Sequence, residues 1–360
     1  MGNRTIVPFG PQHPVLPEPI HLDLVLEDEK VIEAIPKIGY IHRGLESLAK
    51  KRDFNDYVYV VERTCGICSF MHGMGYVESV ERIFDVEIPD RAKYLRTIWA
   101  EMSRIHSHLL WLGLLADAFG FEALFYQCWR MREQILDMFE ESTGGRVIFS
   151  VNKIGGVLKD MPHEMLLKFV NNLNGMEKEL RALTDVFLND YTVQSRLRGV
   201  GILTKEQAVT LGAVGPMMRA SGIELDTRKL GYAAYGDLSF DIITSKDCDS
   251  YARCEVRIGE IFQAFDIIRQ AVSKIPEGEL ITPVKGNPPV GEAFMRVEQP
   301  RGEAIYYSRS DGSKFLERMR IRTPTFANLS PLLETLKNAE LADVPLLILT
   351  IDPCISCTER

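Results

Sequence analysis

Cys65 and Cys68 are separated by two residues, and so are Cys354 and Cys357. Two thiolates at that spacing can both face one ion from a single turn. Two such pairs supply the four-sulfur set usual for tetrahedral zinc or iron. The pairs lie near opposite ends of the chain, so the fold must bring them together. On local sequence alone, structural zinc is the plainest reading and two redox dithiols the next. Three features count against both. One pair lies at the end of an apolar run close to the last residue. Charged groups flank both pairs, Glu62 and Arg63 before the first and Asp352 before the second. A further charged element, Pro300-Arg301-Gly302, is placed in a turn. A purely structural site needs none of these.

The other cysteines are Cys128, Cys248 and Cys254, making seven in all. An odd count argues against a disulfide framework. Cys128 and Cys254 fall on apolar helical stripes and read as core residues; Cys248 has no evident role. Composition is that of a globular protein, 46% hydrophobic and 26% charged, with a net charge of −8. A nucleic-acid binder would carry a basic excess, so that class is set aside. No apolar run approaches the roughly 20 residues that span a bilayer. The longest candidate, Val344 to Ile351, reads as a buried strand. The stretch from Met1 to Pro8 lacks the apolar segment of a signal peptide. The expectation is a soluble, intracellular chain that meets a membrane only through partners.

The elements that must position the cysteines can be read from periodicity. Ile20, Leu22, Leu24 and Leu26 alternate with His21 and Asp23, which predicts a strand, and a polar turn leads to a second near Val31. Between Pro89 and Glu141 the period is helical: Leu95, Ile98, Trp99, Met102, Ile105, Leu109 and Leu112 form one stripe. Asp117 to Gly120 interrupts it before another begins at Leu124. Residues 162–188 and 250–275 carry two more stripes. Four long amphipathic helices predict a bundle core. Short strand-like runs return from Phe294 to Thr323, with turns at Gln299-Pro300-Arg301-Gly302 and Asp311-Gly312. The expected fold class is α+β, mainly α, with β-strand pieces near both termini. We expect one domain over 1–360: a β region to about 40, a helical core to about 290, and a second β region beyond.

Glu62-Arg63-Thr64-Cys65-Gly66-Ile67-Cys68, with His72 following, resembles the first signature of nickel–iron hydrogenase large subunits. Asp352-Pro353-Cys354-Ile355-Ser356-Cys357 resembles the last. Arg43-Gly44-Leu45-Glu46, Arg104-Ile105-His106-Ser107-His108 with Asp117 after it, Gln299-Pro300-Arg301-Gly302 and Arg322-Thr323-Pro324-Thr325 resemble the signatures between. Pro8-Phe9-Gly10-Pro11-Gln12-His13-Pro14 and Phe326-Ala327-Asn328-Leu329 look like the quinone-reductase subunit of respiratory complex I, which lacks the four cysteines. Both sets together resemble the energy-converting, membrane-bound hydrogenases.

What the resemblance implies is specific. The chain would be the catalytic large subunit of a ferredoxin-linked hydrogenase, cleaving H2 heterolytically or reducing protons, coupled in its complex to ion translocation. Cys65 and Cys354 would be terminal ligands of nickel; Cys68 and Cys357 would bridge it to an iron carrying cyanide and carbon monoxide. Cys354 would accept the proton, since an arginine is very hard to deprotonate. Arg301 would supply charge and hydrogen bonds to one cyanide, and Thr325 would donate to the other. Glu18 would relay protons. His72 would donate to a bridging thiolate, Asp117 and Asp352 would contact Arg301, and Pro324 would stand beside the ligand set. His106 and His108 fit a core or interface role as well as a site role. Glu46 in many relatives helps bind a magnesium or iron ion with a C-terminal histidine. Arg360 stands there instead, a poor ligand, which argues against that metal and for Glu46 pairing with an arginine. The chain ends at Arg360, consistent with a form from which a C-terminal extension has been removed. Expected partners are a small subunit bearing iron–sulfur clusters, membrane-anchored ion-translocating subunits on the inner face of the cell membrane, and ferredoxin through them; nucleic acid is not one. The alternative is a non-catalytic scaffold of a complex-I-like assembly with a structural four-cysteine zinc site.

Overall fold

In the computed structural model, residues 4–360 are described; Met1 to Asn3, part of the stretch read for a leader, lie outside the described residues. The chain opens with a three-stranded antiparallel sheet, β1 Arg4–Phe9, β2 His21–Glu27 and β3 Lys30–Lys37, in that order. The alternation seen in the sequence is the cause: Leu22, Leu24 and Leu26 point into a core and are buried, while Asp23 pairs with Lys37 on the other face. The strand β1 was not visible in the sequence pattern.

Helices follow: α1 Leu45–Leu48, α2 Tyr57–Glu62, α3 Ser69–Phe84, α4 Asp90–Ala118 and α5 Glu122–Thr143. A small hairpin, β4 Asn152–Lys153 with β5 Gly156–Val157, precedes α6 His163–Asn189. Three short helices, α7 Tyr191–Leu197, α8 Lys205–Thr210 and α9 Pro216–Arg219, lead to α10 Ser250–Lys274. The break expected after Asp117 falls between α4 and α5, and the long helices stand where the stripes placed them. One helix departs from the amphipathic pattern. In α4 the apolar stripe is buried, and so are Arg96, Glu101, Arg104, His106, Ser107 and His108. These polar groups are tolerated because they are paired: Arg104 with Glu101, and His108 with Glu260 of α10,. The helix is therefore a central one, covered by α5 and α10 on different sides.

The second sheet is the antiparallel meander β6 Gly291–Gln299, β7 Gly302–Ser310 and β8 Leu316–Arg322. Gln299 pairs with Gly302 across its first turn, so Arg301 projects from the hairpin tip. That tip is seated by a close approach of two glycines. A Cβ on Gly215 would lie 2.3 Å from the Gly302 Cα, so neither position accepts a side chain.

The sequence pattern predicts β structure to the C-terminus. Instead, four helices follow: α11 Pro324–Ala327, α12 Leu329–Leu336, α13 Val344–Thr350 and α14 Ile355–Thr358. The apolar run read as a strand is α13. Pro345 sits in its first turn, where a missing N–H costs nothing,. Its apolar residues are buried all round, which erases the one-sided pattern that marks a helix,. The fold class stands as expected, α+β and mainly α. No helix among the described residues is long and apolar enough to cross a membrane.

A candidate metal centre between two cysteine pairs

The first cysteine pair occupies the turn from α2 into α3, with Cys68 immediately before the helix; in the second, Cys354 caps the start of α14 and Cys357 lies within it. The fold brings them together: the Sγ atoms of Cys65 and Cys354 are 3.3 Å apart, and those of Cys68 and Cys357 are 3.7 Å apart. All four residues are at most 2% exposed. The sulfurs of Cys65, Cys68 and Cys357 lie within 4.8 Å of one another. Backbone N–H groups of Ile67 and Cys68 donate to the Cys65 sulfur at 3.3 and 3.4 Å. Hydrogen bonds from the Cys357 and Cys65 sulfurs favour the Cys68 thiolate against the effect of burial, while burial and the neighbouring sulfurs push the Cys357 thiol the other way, so Cys68 is the more acidic of the two. Four converging, dry sulfurs are the donor set of a soft metal such as nickel, iron or zinc.

The two loops are tied by Arg43. Its guanidinium donates to the carbonyls of Arg63 at 2.7 Å, Thr64 at 2.8 Å and Ser356 at 3.0 Å, one clamp across both cysteine segments. In the sequence Arg43 stands in a motif without an evident role of its own. His106 acts from the other side. Arg132 donates to its Nδ1 at 2.9 Å, leaving Nε2–H to reach the Ile67 carbonyl at 3.2 Å. His106 therefore braces the first cysteine loop, and burial, then Arg132, holds it neutral with its pKa down to about 3. His108 belongs to the buried charge network with Glu260.

Arg301 stands beside the sulfurs. Its Nη2 pairs with the Asp352 carboxylate at 2.8 Å, its Nε donates to the Asp352 carbonyl at 2.9 Å, and its Nη1 reaches the Ser107 hydroxyl of α4 at 3.3 Å. Burial opposes its charge, but Asp352 and the cysteine thiolates outweigh burial and hold the guanidinium above its ordinary range. Asp352 has φ 56°, a left-handed conformation uncommon for aspartate, and its Oδ2 is buried without a hydrogen-bond partner,. The contact expected between Asp117 and Arg301 is not made. Asp117 is exposed near the end of α4, and among the described residues no hydrogen bond or ion pair joins the two. Asp117 stands one residue past Ala116, the last buried residue of the helix.

His72, on the first turn of α3, places Nε2 3.3 Å from the Cys357 sulfur. Burial keeps it neutral, with its pKa down to about 3. Behind it stand Tyr306, which no sequence signature singled out and whose hydroxyl is 2.8 Å from His72 Nδ1, and Gln299, the first residue of the Gln299-Pro300-Arg301-Gly302 motif, whose Nε2 donates to that hydroxyl at 3.1 Å. No local pattern marks a strand tyrosine for this duty. Thr325 accepts from the Cys354 backbone N–H at 3.1 Å, and Thr323 donates to the Cys357 carbonyl at 3.0 Å. Pro324 between them is buried and opens α11, which packs on α14.

Glu18 reaches the site from the loop between β1 and β2. Its carboxylate accepts the backbone N–H of Ile355 and, at 3.2 Å, that of Ser356. Burial, then the charge of Cys354, pushes its pKa up to about 7. Glu46 lies apart from the sulfurs. It pairs with Arg320 at 2.6 Å and Arg360 at 3.2 Å, and accepts the Ile321 N–H at 2.8 Å. Cys128 and Cys254 are buried, and burial pushes both thiols up to about 12, as expected of inert core residues.

Residues 118–286 and 280–360 match the family described as respiratory-chain NADH dehydrogenase, 49 Kd subunit, and residues 43–117 match the nickel-dependent hydrogenase family. The membrane-bound hydrogenase subunit alpha of Pyrococcus furiosus is 38% identical, over 98% of this chain and 87% of its own. The carbon monoxide-induced hydrogenase of Rhodospirillum rubrum is 36% identical, over 98% of this chain and 99% of its own. A chain in the solved structure of the membrane-bound sulfane sulfur reductase (MBS), an archaeal respiratory membrane complex, superposes with a TM-score of 0.95 at 31% identity, covering 99% of both chains. The chain thus belongs to the oxidoreductase family that unites nickel–iron hydrogenase large subunits with the 49-kDa subunit of respiratory complex I.

Proposed function

We propose that this chain is the catalytic large subunit of a membrane-bound, ferredoxin-linked nickel–iron hydrogenase that works at the cytoplasmic face of the cell membrane and couples its reaction to ion translocation. The observation that carries this reading is the convergence of four buried cysteine sulfurs beside the Arg301–Asp352 pair. Cys65, Cys68, Cys354 and Cys357 would together hold nickel and an iron bearing carbon monoxide and cyanide. When bound, the two metals supply the Lewis acidity and electron capacity for reversible heterolytic cleavage of H2.

The protein's own part is positioning and proton handling. Arg301 keeps a fixed positive charge over the thiolates and, being permanently protonated, takes no proton from the reaction. Cys354 Sγ receives the proton. Glu18, on the backbone of the two residues after Cys354, is a carboxylate placed to carry it away, and its raised pKa suits both uptake and release near neutrality,. Thr325 steadies the Cys354 segment through its backbone. Electrons leave through a partner bearing iron–sulfur clusters, because the remaining cysteines, Cys128, Cys248 and Cys254, do not form a second sulfur cluster among the described residues. The names of the relatives, membrane-bound hydrogenase and respiratory membrane complex, support membrane-anchored partner subunits. No extra magnesium is part of this reading, since arginines already occupy Glu46.

A second reading draws on the match of residues 118–360 to the 49 Kd subunit family. In it the chain is a scaffold whose four cysteines hold zinc; the sulfane sulfur reductase neighbour likewise shows the fold at work in another named activity. Metal analysis and infrared spectroscopy of the purified complex decide. Nickel with iron, and bands in the carbon monoxide and cyanide stretching region, are expected. Zinc alone, with no such bands, supports the scaffold.

A further inference from the structure

We propose that Tyr306 is a positioning residue: with Gln299 behind it, it fixes the tautomer of His72 so that a single N–H points at the Cys357 sulfur. Tyr306 lies mid-strand in β7, paired with Met295 on one side and Ile321 on the other, and its side chain is fully buried. Its ring rests on α3 where Gly75 leaves room. A Cβ on Gly75 would come 2.3 Å from the ring. Gly75 follows His72 by three positions, so the two share one face of the helix, and the glycine is what lets the phenol reach the imidazole.

The direction of the hydrogen bonds follows from counting hydrogens. The Tyr306 hydroxyl has one hydrogen and two neighbours, Gln299 Nε2 at 3.1 Å and His72 Nδ1 at 2.8 Å. The Gln299 amide nitrogen can only donate, so the hydroxyl accepts there and spends its own hydrogen on Nδ1. A neutral imidazole carries one N–H, which is thereby left on Nε2, 3.3 Å from the Cys357 sulfur,. The opposite tautomer would put two N–H donors on the hydroxyl and leave the hydroxyl's own hydrogen without a partner; with a thiolate at Cys357 it would also aim the Nε2 lone pair at an electron-rich sulfur. Four residues from four different elements thus form a directed chain, Gln299 to Tyr306 to His72 to Cys357. Its end draws electron density from the sulfur, the means by which an outer hydrogen bond tunes a metal ligand.

The tautomer holds whether or not metal is bound; the tuning rests on the proposed nickel–iron reading. The test therefore has two arms. In the metal-free full chain labelled with 15N-histidine, His72 is expected to show a protonated Nε2 and a bare Nδ1, and Tyr306→Phe, which keeps the ring against Gly75, is expected to give a mixture of tautomers. Gln299→Leu, which leaves Tyr306 in place and frees its hydroxyl to turn, is expected to give the same mixture. In the assembled complex, Tyr306→Phe should keep its metal content, shift the carbon monoxide band to lower wavenumber, and lower turnover about tenfold or more. A proton on Nδ1 in the native chain overturns the relay, as does a His72 tautomer unchanged in both variants. Native complex without diatomic bands would sink the hydrogenase reading alone, leaving the tautomer to be judged by the first arm.

Discussion

The Glu18 carboxylate accepts the backbone N–H groups of Ile355 and Ser356, the two residues that follow Cys354, although 336 positions separate Glu18 from that cysteine in the chain. The contact makes Glu18 a part of the second cysteine loop in space. An amide in its place can hold a hydrogen bond but cannot take up a proton and pass it on. Glu18→Gln is therefore expected to leave nickel, iron and the infrared bands of the diatomic ligands nearly unchanged. It should suppress both hydrogen production and hydrogen–deuterium exchange. Exchange at the native rate would remove Glu18 from the proton path.

Arg301 makes three kinds of contact at once: an ion pair, a bond to a backbone carbonyl and a bond to the Ser107 hydroxyl. A lysine keeps the charge but has one nitrogen, so it cannot span all three directions. Arg301→Lys should keep both metals and lower turnover by about 10- to 100-fold. Steady-state hydrogen evolution with metal analysis on the same sample checks this. Activity within a few-fold of native, at full metal content, would place Arg301 outside the reacting region.

The cysteine pairs, His72 and Arg301 were legible because each lies in a short contiguous signature, where residue type and spacing carry the chemistry; Glu18 was named from the family resemblance alone. The long helices were legible because a periodic apolar stripe survives in sequence. What escaped depends on contacts between distant segments. Tyr306 is one aromatic among several on an alternating strand, and only the meander's register against α3 turns it to His72. Asp117 stands in the last turn of α4, just past Ala116, the last buried residue of that helix, and the helical period does not say where burial stops. Val344 to Thr350 was missed as a helix because neighbours cover every side, and an apolar run of that length fits a buried strand equally well,. Glu46 shows the reverse: the change to Arg360 was visible, and it foretold the ion pair.

Glu78 offers a prediction about stability away from the metal centre. It lies on α3, and burial pushes its pKa from 4.5 up to about 7 despite Arg96 at 3.7 Å. Arg96 is committed to Glu81 at 2.9 and 2.7 Å, and Glu78 Oε1 has no hydrogen-bond partner. The native state thus holds this proton more tightly than the unfolded chain does. A group with a raised folded value stabilises fully below its unfolded value, and that contribution is lost as pH rises through the folded one. Relative to Glu78→Gln, which does not titrate, the native chain should lose stability between pH 4.5 and about 7, by on the order of 3 kcal/mol,. Denaturant midpoints of both proteins across that range provide the measurement. A gap that does not change with pH would show that Glu78 stays charged.

The last prediction concerns the place where related chains are expected to bind an additional metal. Glu46 is surrounded by donors: Arg320 at 2.6 Å on one oxygen, and the Ile321 N–H at 2.8 Å and Arg360 Nε at 3.2 Å on the other. Arg360 is itself fixed, donating to the Thr358 carbonyl at 2.9 Å and lying 5.1 Å from the centre of the Phe326 ring. A magnesium ion prefers an octahedral shell of oxygens and tolerates no guanidinium in it. The arginine therefore does electrostatically what a cation would do, joining the segment after the second cysteine pair to α1 and β8. Removing magnesium with a chelator should leave the thermal midpoint of the native chain unchanged. Arg360→Ala should lower stability by about 1–3 kcal/mol, the usual cost of losing a hydrogen bond to a charged group in a partly buried place. A midpoint that falls on chelation and recovers when magnesium is restored would mean that a metal, and not Arg360, balances Glu46.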